Sequence, residues 1–353
     1  MTTILERPLT RSQPTRLVTF GPNWFASVMG TGIVATAAAS LPHQVLGLHT
    51  FALSVWVLAA SMLIAVTVAT VAHWVRQPAQ ARSYLNDRVV SHFYGAPPMA
   101  VLTVGAGTVL LGRDLIGLNA ALAVDWVLWI LGTAGGLVCA ALVPYIAFTR
   151  HDNPPDAAFG GWLMPVVPPM VSATTGALLA QHLAPGQLQE TLVSLCWSMF
   201  GLSLVASTIV ITLVWGRLAR HGVGAAAAVP TLWIVLGPIG QSIAAANGLA
   251  GVDPSAAPLA QLYGLAAWGF ALLWLGIAIA VTTSTLRTGL PFSLAWWSFT
   301  FPVGTVVLGT SALAARTGLD LFSWAAVALY AGLVAAWVVV LLRTAANTKR
   351  LLS

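Results

Sequence analysis

Long apolar runs, cut at intervals by short clusters of charged and turn-forming residues, occupy nearly the whole chain. A membrane-spanning helix needs ~20 mostly apolar residues, and the interruptions leave ten runs of about that length. They predict spans at 22–40, 48–74, 91–111, 120–148, 160–182, 190–216, 229–250, 259–285, 291–315 and 321–343. The predicted class is an all-α integral membrane protein with a tail at 1–20, a ten-helix membrane domain at 21–345 and a short tail at 346–353.

The runs alternate in kind, and since a proline in mid-membrane bends a helix, kinked helices are expected to alternate with straighter ones. The third holds Pro97-Pro98, the fifth Pro165 and Pro168-Pro169, the seventh Pro238 and the ninth Pro302, whereas among the even runs only the fourth has an interior proline, Pro144. Pro98, Pro168, Pro238 and Pro302 are spaced by about 70, 70 and 64 residues, and a further step back lands on Gly30-Thr31-Gly32 in the first run. This periodicity predicts a helical hairpin used five times. The odd runs also carry small and hydroxyl residues near the marker, among them Thr31, Gly32, Thr103, Ser172, Gln241, Ser242 and Thr305, while the even runs are mostly Ala, Leu, Val and Trp. Close helix packing explains any one of these small residues. Their recurrence at five corresponding places predicts an inner ring of odd helices around a central pore, with an outer ring of even helices facing lipid.

Composition and charge narrow the picture. With 58% hydrophobic and 7% charged residues, and a mean hydropathy of +0.87, the chain has too little polar surface for a soluble globule of its size. The isoelectric point near 10.0 does not imply nucleic acid, because the basic residues are scattered singly and form no stripe. Membrane topology explains them: a cytoplasmic amino terminus puts thirteen of the fifteen Lys and Arg residues inside and leaves only Arg113 and Arg316 outside. Both termini are therefore expected in the cytoplasm, with Arg7, Arg11 and Arg16 on a tail and not in a cleaved signal peptide. Cys139 and Cys196 lie within apolar runs and suit packing, so no disulfide, metal or cofactor is expected.

No lysine or arginine falls near the middle of a run, and the acids Asp125 and Glu190 fall at outer ends, which predicts a pathway without buried charge. What remains is a neutral conduit lined by hydroxyls and by helix starts beyond each proline, whose free amides attract an anion. The stretch 296–304 places the ring of Phe301 directly before Pro302, as a plug beside a helix break, with Phe299 as the alternative ring on another face. His92 opens the third run, either as a pH or anion contact or as an interfacial histidine bonded to backbone. Gln241, Ser242 and Asn247 either line the pathway or join helices.

Three stretches resemble the tellurite-resistance/dicarboxylate transporter family, which includes plant slow anion channels, fungal malate permeases and sulfite efflux pumps. They are Gly21-Pro22-Asn23-Trp24-Phe25-Ala26-Ser27-Val28-Met29-Gly30-Thr31-Gly32, His92-Phe93-Tyr94-Gly95-Ala96-Pro97-Pro98-Met99 and Trp296-Trp297-Ser298-Phe299-Thr300-Phe301-Pro302. The resemblance implies five hairpins around a pore, a phenylalanine of the ninth helix that occludes it, matching Phe301 best, and a homotrimer in the plasma membrane. The function expected is passage of small anions such as sulfite, malate-like dicarboxylates or inorganic anions. A proton-coupled transporter of the same substrates is the alternative. A membrane oxidoreductase holding haem or quinone is a further one, for which paired histidines deep in facing helices would be needed.

Overall fold

A computed structural model describes residues 20–352, which are helical with no strand among them. The tail arginines Arg7, Arg11 and Arg16 lie outside the described residues. Within them the ten longest α-helices are α1 (Phe25–Ser40), α2 (Leu48–Arg76), α3 (Ala96–Gly107), α4 (Leu118–Arg150), α5 (Pro168–Ala180), α6 (Gln187–His221), α7 (Leu236–Val252), α8 (Ala257–Thr288), α9 (Phe301–Thr317) and α10 (Asp320–Leu351). A π-helical turn, Thr108–Gly112, carries α3 onward to Ile116.

Eight stretches are long and apolar enough to cross a bilayer, each containing one of α2, α3, α4, α6, α7, α8, α9 and α10. The other two expected spans contain α1 and α5, which have only 16 and 13 residues. Both begin late because the chain ahead of them is wound as a 3-10 turn. The same device precedes every odd helix, at Pro22–Trp24, Val90–Gly95, Gly160–Leu163, Ala226–Val235 and Leu294–Phe299.

The prolines therefore do not bend continuous helices, as the sequence suggested. Pro97 and Pro98 lie in the first turn of α3, Pro168 and Pro169 open α5, Pro302 is second in α9 and Pro238 third in α7. A helix start has no use for the N–H that proline lacks, and the fixed φ suits it. Pro144, in contrast, lies in the interior of α4.

Burial separates odd from even. The stretches holding α3, α7 and α9 are 67–83% buried, whereas those holding α2, α4, α6, α8 and α10 are 22–33% buried, and α1 is buried from Phe25 through Ala38. A helix enclosed on all sides needs no polar face. Packing runs from α1 to α3, α3 to α5, α5 to α7, α7 to α9 and α9 back to α1, and each even helix packs on the odd helix before it and the odd helix after it. Close approach is permitted by glycine: a Cβ on Gly240 of α7 would overlap the Thr305–Val306 backbone of α9, and one on Gly309 would meet the Gly240 carbonyl.

Tryptophans do more than mark the membrane interface. Trp56 of α2 donates its indole N–H to the Val104 carbonyl at 3.2 Å, Trp129 of α4 to Ser172 O at 2.9 Å, Trp274 of α8 to Leu232 O at 2.8 Å and Trp337 of α10 to Thr31 Oγ1 at 3.2 Å. Each ring packs broadly against an odd helix or its 3-10 turn while its one polar atom is satisfied there.

The expectation of no buried charge does not survive. Asp125 is 1% exposed, and neither carboxylate oxygen has a hydrogen-bond partner among the described residues. Its Oδ1 lies against Gly105 of α3, where a Cβ would overlap it. The terminal position in the run misled because α4 begins at Leu118 and carries Asp125 two turns in, on the face that also buries Ala121, Trp129 and Gly132. Arg217, 7% exposed, is buried at the end of α6, where it donates to the carbonyls of Ala158, Gly222 and Val223 at 2.9, 2.9 and 2.8 Å. His73, near the end of α2, is likewise buried and stacks on Tyr84.

Candidate functional site

All five odd helices contribute to one cavity of about 280 Å³. Its wall comes from Ile33 and Thr36 of α1, Thr103 and Ala106 of α3, Thr174 and Thr175 of α5, Gln241 and Ala244 of α7 and Ser311 of α9, with Phe301 at its base. Most lining positions belong to the later turns of their helices. On the other side of Phe301, towards the helix starts, lies a pocket of about 20 Å³ bounded by Ala26, Met29, Phe93, Met99 and Pro302, which has room for about one water. Phe301 is the residue common to both linings, and it is 2% exposed.

The local sequence puts the ring there. Thr300 ends the 3-10 turn with its hydroxyl donated to Trp297 O at 2.7 Å, and α9 starts at Phe301. Gly304, one turn on, lies against Ile33 of α1, and Thr305 donates to Leu236 O of α7 at 3.2 Å. These two contacts fix the rotation of α9 so that position 301 turns to the axis. Phe299 faces the other way: it lies edge-on to Trp233 and Trp296 and lines a separate cavity between α8 and α10 with Leu275 and Leu329.

The hydroxyls of the large cavity are mostly committed. Thr103 donates to Met99 O at 2.7 Å, Thr174 to Met170 O at 3.1 Å, Thr175 to Val171 O at 3.0 Å and Ser40 to Thr36 O at 2.8 Å. Each bond is to the preceding turn of the same helix, so these side chains present lone pairs and methyl groups to the cavity. Gln241 Oε1 and Ser311 Oγ are buried and have no hydrogen-bond partner among the described residues.

The matches to known proteins follow this layout. Residues 19–345 match the model of a family described as voltage-dependent anion channel. The chain belongs to that family. A sulfite efflux pump of Trichophyton rubrum is 27% identical over 307 residues, 83% of this chain and 81% of that protein. An uncharacterized transporter of Methanocaldococcus jannaschii is 27% identical over 328 residues, 92% and 94% of the two chains. A malic acid transport protein of Schizosaccharomyces pombe is 20% identical over 313 residues, 81% and 69%. Membership of this family makes the chain a multi-pass membrane protein of anion transport, in agreement with the resemblance read from the three motifs.

The site residues expected from sequence fall into four groups. Phe301, Thr103 and Gln241 line the large cavity, and Phe301 and Pro302 the small pocket. Others lie between helices: Gly30 against Trp297 and Thr300, Gly32 against Thr103, and Pro98 and Pro168 against the glycines of α4. In the same group Thr31 accepts from Trp337, Ser172 accepts from Thr133 at 3.0 Å, and Thr305 joins α9 to α7. Pro238 and Ser242 face outward between α6 and α8, where Tyr263 donates to Ser242 Oγ at 2.6 Å. Pro97 and Pro169 act as helix starters in α3 and α5.

His92 is buried, and its Nδ1 has no partner among the described residues. Its ring stacks on Trp162 and meets Phe159 edge-on, and it borders an apolar cavity of about 270 Å³ with Pro144 and Val210 that is separate from the two at Phe301. Sequence reasoning named Asn247 as lining or glue; it accepts from Arg316 at 3.3 Å through Oδ1 and at 2.9 Å through its carbonyl. Ser311 was missed, having no neighbouring proline or glycine pair to mark it.

Proposed function

We propose that small anions cross the membrane along the axis enclosed by α1, α3, α5, α7 and α9, and that Phe301 closes this path. The observation that carries the reading is the shared position of Phe301 at the base of the large cavity and the head of the small pocket. An anion moving between them displaces the ring. Sulfite and malate-like dicarboxylates are the substrates proposed, by analogy with the sulfite efflux pumps and the malic acid transport protein that the chain resembles.

The same reading takes α1 and α5 as further spans, which makes ten helices in five hairpins. With the turns before them they run 22–40 and 160–180, and 3-10 winding rises ~2.0 Å per residue against ~1.5 Å in an α-helix, so fewer residues are needed to cross. Arg76, Arg82, Arg88, Arg150, Arg217 and Arg287 gather at the end of the bundle where the described residues begin and end, which supports a cytoplasmic placement of that end. A homotrimer in the plasma membrane completes the proposal.

One observation favours proton coupling as a second reading: the unpartnered acid Asp125 on α4, inside a span. Reconstitution decides between the two. Purified protein in liposomes is given a series of anions with and without a proton gradient. Flux that follows the anion gradient alone supports the channel. Accumulation driven by the proton gradient and lost in Asp125→Asn supports coupling, and absence of any anion flux refutes both.

A further inference from the structure

Gln241 and Ser311 stand apart from the other polar side chains of the large cavity. They are 2% and 4% exposed, they line the same cavity, and Gln241 Oε1 and Ser311 Oγ are without hydrogen-bond partners among the described residues. Burying such groups unsatisfied is unfavourable unless something transient satisfies them.

They also come from two helices in close contact. Gly240 and Gly309 are the points at which α7 and α9 touch backbone to backbone, and Gln241 follows the first while Ser311 lies two residues past the second. Thr174 of α5 donates to the Gln241 carbonyl at 3.3 Å, so a third helix braces that level. Beyond it, towards the end of α9, Arg316 is held half-buried by Asn247 and adds a positive field above the cavity.

We propose that Gln241 and Ser311 form a docking point for a singly protonated oxyanion, of the hydrogensulfite or hydrogen-dicarboxylate class, on the wide side of Phe301. The inference rests on the anion-path reading and names the chemical form that the path selects. A primary amide both donates and accepts, and a hydroxyl donates while it can also accept. A singly protonated oxyanion needs this combination, donors for its charged oxygens and one acceptor for its O–H. Threonines already donated to their own helices supply acceptors only. A halide has no O–H to give, and a dianion finds no side-chain cation in the wall to offset its dehydration.

The test uses the full chain in liposomes, with efflux of sulfite and of chloride measured on either side of the pH at which hydrogensulfite loses its proton. The wild type favours sulfite over chloride more strongly on the acid side. Gln241→Met, which keeps side-chain length, and Ser311→Ala, which removes one atom, each lower the acid-side sulfite-to-chloride ratio about tenfold, the scale of one lost hydrogen bond to a charged partner. If Gln241→Met does not remain monodisperse in detergent, Ser311→Ala decides alone. An unchanged ratio overturns the proposal. So does a parallel fall of both fluxes in a monodisperse variant, which assigns the pair to upkeep of the wall. Phe301→Ala in the same series judges the path itself: if neither flux changes there, the gate reading fails whatever the ratio does.

Discussion

Phe301→Ala is the perturbation on which the gate stands. The ring is 2% exposed, and on the proposed path an anion passes only if the ring leaves its seat between the cavity of about 280 Å³ and the pocket of about 20 Å³. Unseating a buried Phe forfeits ~1.5–3 kcal/mol of apolar burial. At tenfold per ~1.36 kcal/mol, that corresponds to a flux held down by roughly 10- to 150-fold. Truncation removes the barrier and joins the two spaces, so anion efflux from proteoliposomes rises by at least about tenfold. The fold tolerates the change near the lower end of the usual ~3–5 kcal/mol for a buried Phe, because the ring already borders empty space on two sides. Phe299→Ala is the control, since that ring packs on Trp233 and Trp296 outside the odd-helix ring, and its efflux matches wild type. Unchanged efflux in a monodisperse Phe301→Ala protein, or an equal rise in Phe299→Ala, would refute the assignment.

Three further substitutions probe the frame around the path. Gly240→Ala drives a Cβ into the Thr305–Val306 backbone, which cannot swing aside, and is expected to lower stability by ~1–3 kcal/mol in a detergent melt; an unshifted melting temperature would mean that α7 and α9 are farther apart. Arg217→Lys replaces a guanidinium that reaches three loop carbonyls by a single ammonium that cannot span them, and limited proteolysis should then cut faster at 151–159 and 222–225. Asp125→Leu removes a carboxylate with no partner to lose, so the melting temperature should hold or rise; a fall of more than ~1 kcal/mol would reveal a partner for the acid.

Much of the fold was legible because the lipid-facing helices are one-sided. In α2 the buried set is Ala52, Val55, Trp56, Ala59, Leu63, Val66 and His73, and in α8 it is Ala260, Gly264, Ala271, Trp274, Ala278 and Thr282, mostly the steps of three, four or seven residues that keep to a single packed face. The proline markers fall in the first turns of the buried helices α3, α5, α7 and α9. Their mechanical role was misread because a proline inside a long apolar run looks the same whether it bends one helix or starts another. The distinction depends on the residues before it, such as 294–299, which wind as a 3-10 turn and leave α9 to begin at Phe301. Asp125 shows the opposite failure: distance from the end of a run measures depth poorly when the helix begins earlier than the apolar pattern suggests.

The site was less legible than the fold, and the reason is rotational. An inner helix is buried on every side, so its sequence carries no amphipathic stripe to say which face meets the axis and which meets a neighbour. In α9, Phe301 and Ser311 turn to the cavity while Thr305 and Thr310 bond to α7 and to Trp268 of α8, yet all four lie among the same small and apolar residues. Hydroxyl content adds no phase, because a serine or threonine in a membrane helix can satisfy itself on the carbonyl one turn back wherever it points. What sets the phase is close contact between backbones at glycines such as Gly240, Gly304 and Gly309, a relation between helices distant in sequence. The informative polar residues are therefore those of the cavity wall that satisfy themselves on nothing, and by that criterion Gln241 and Ser311 are where the proposed path should recognise its anion.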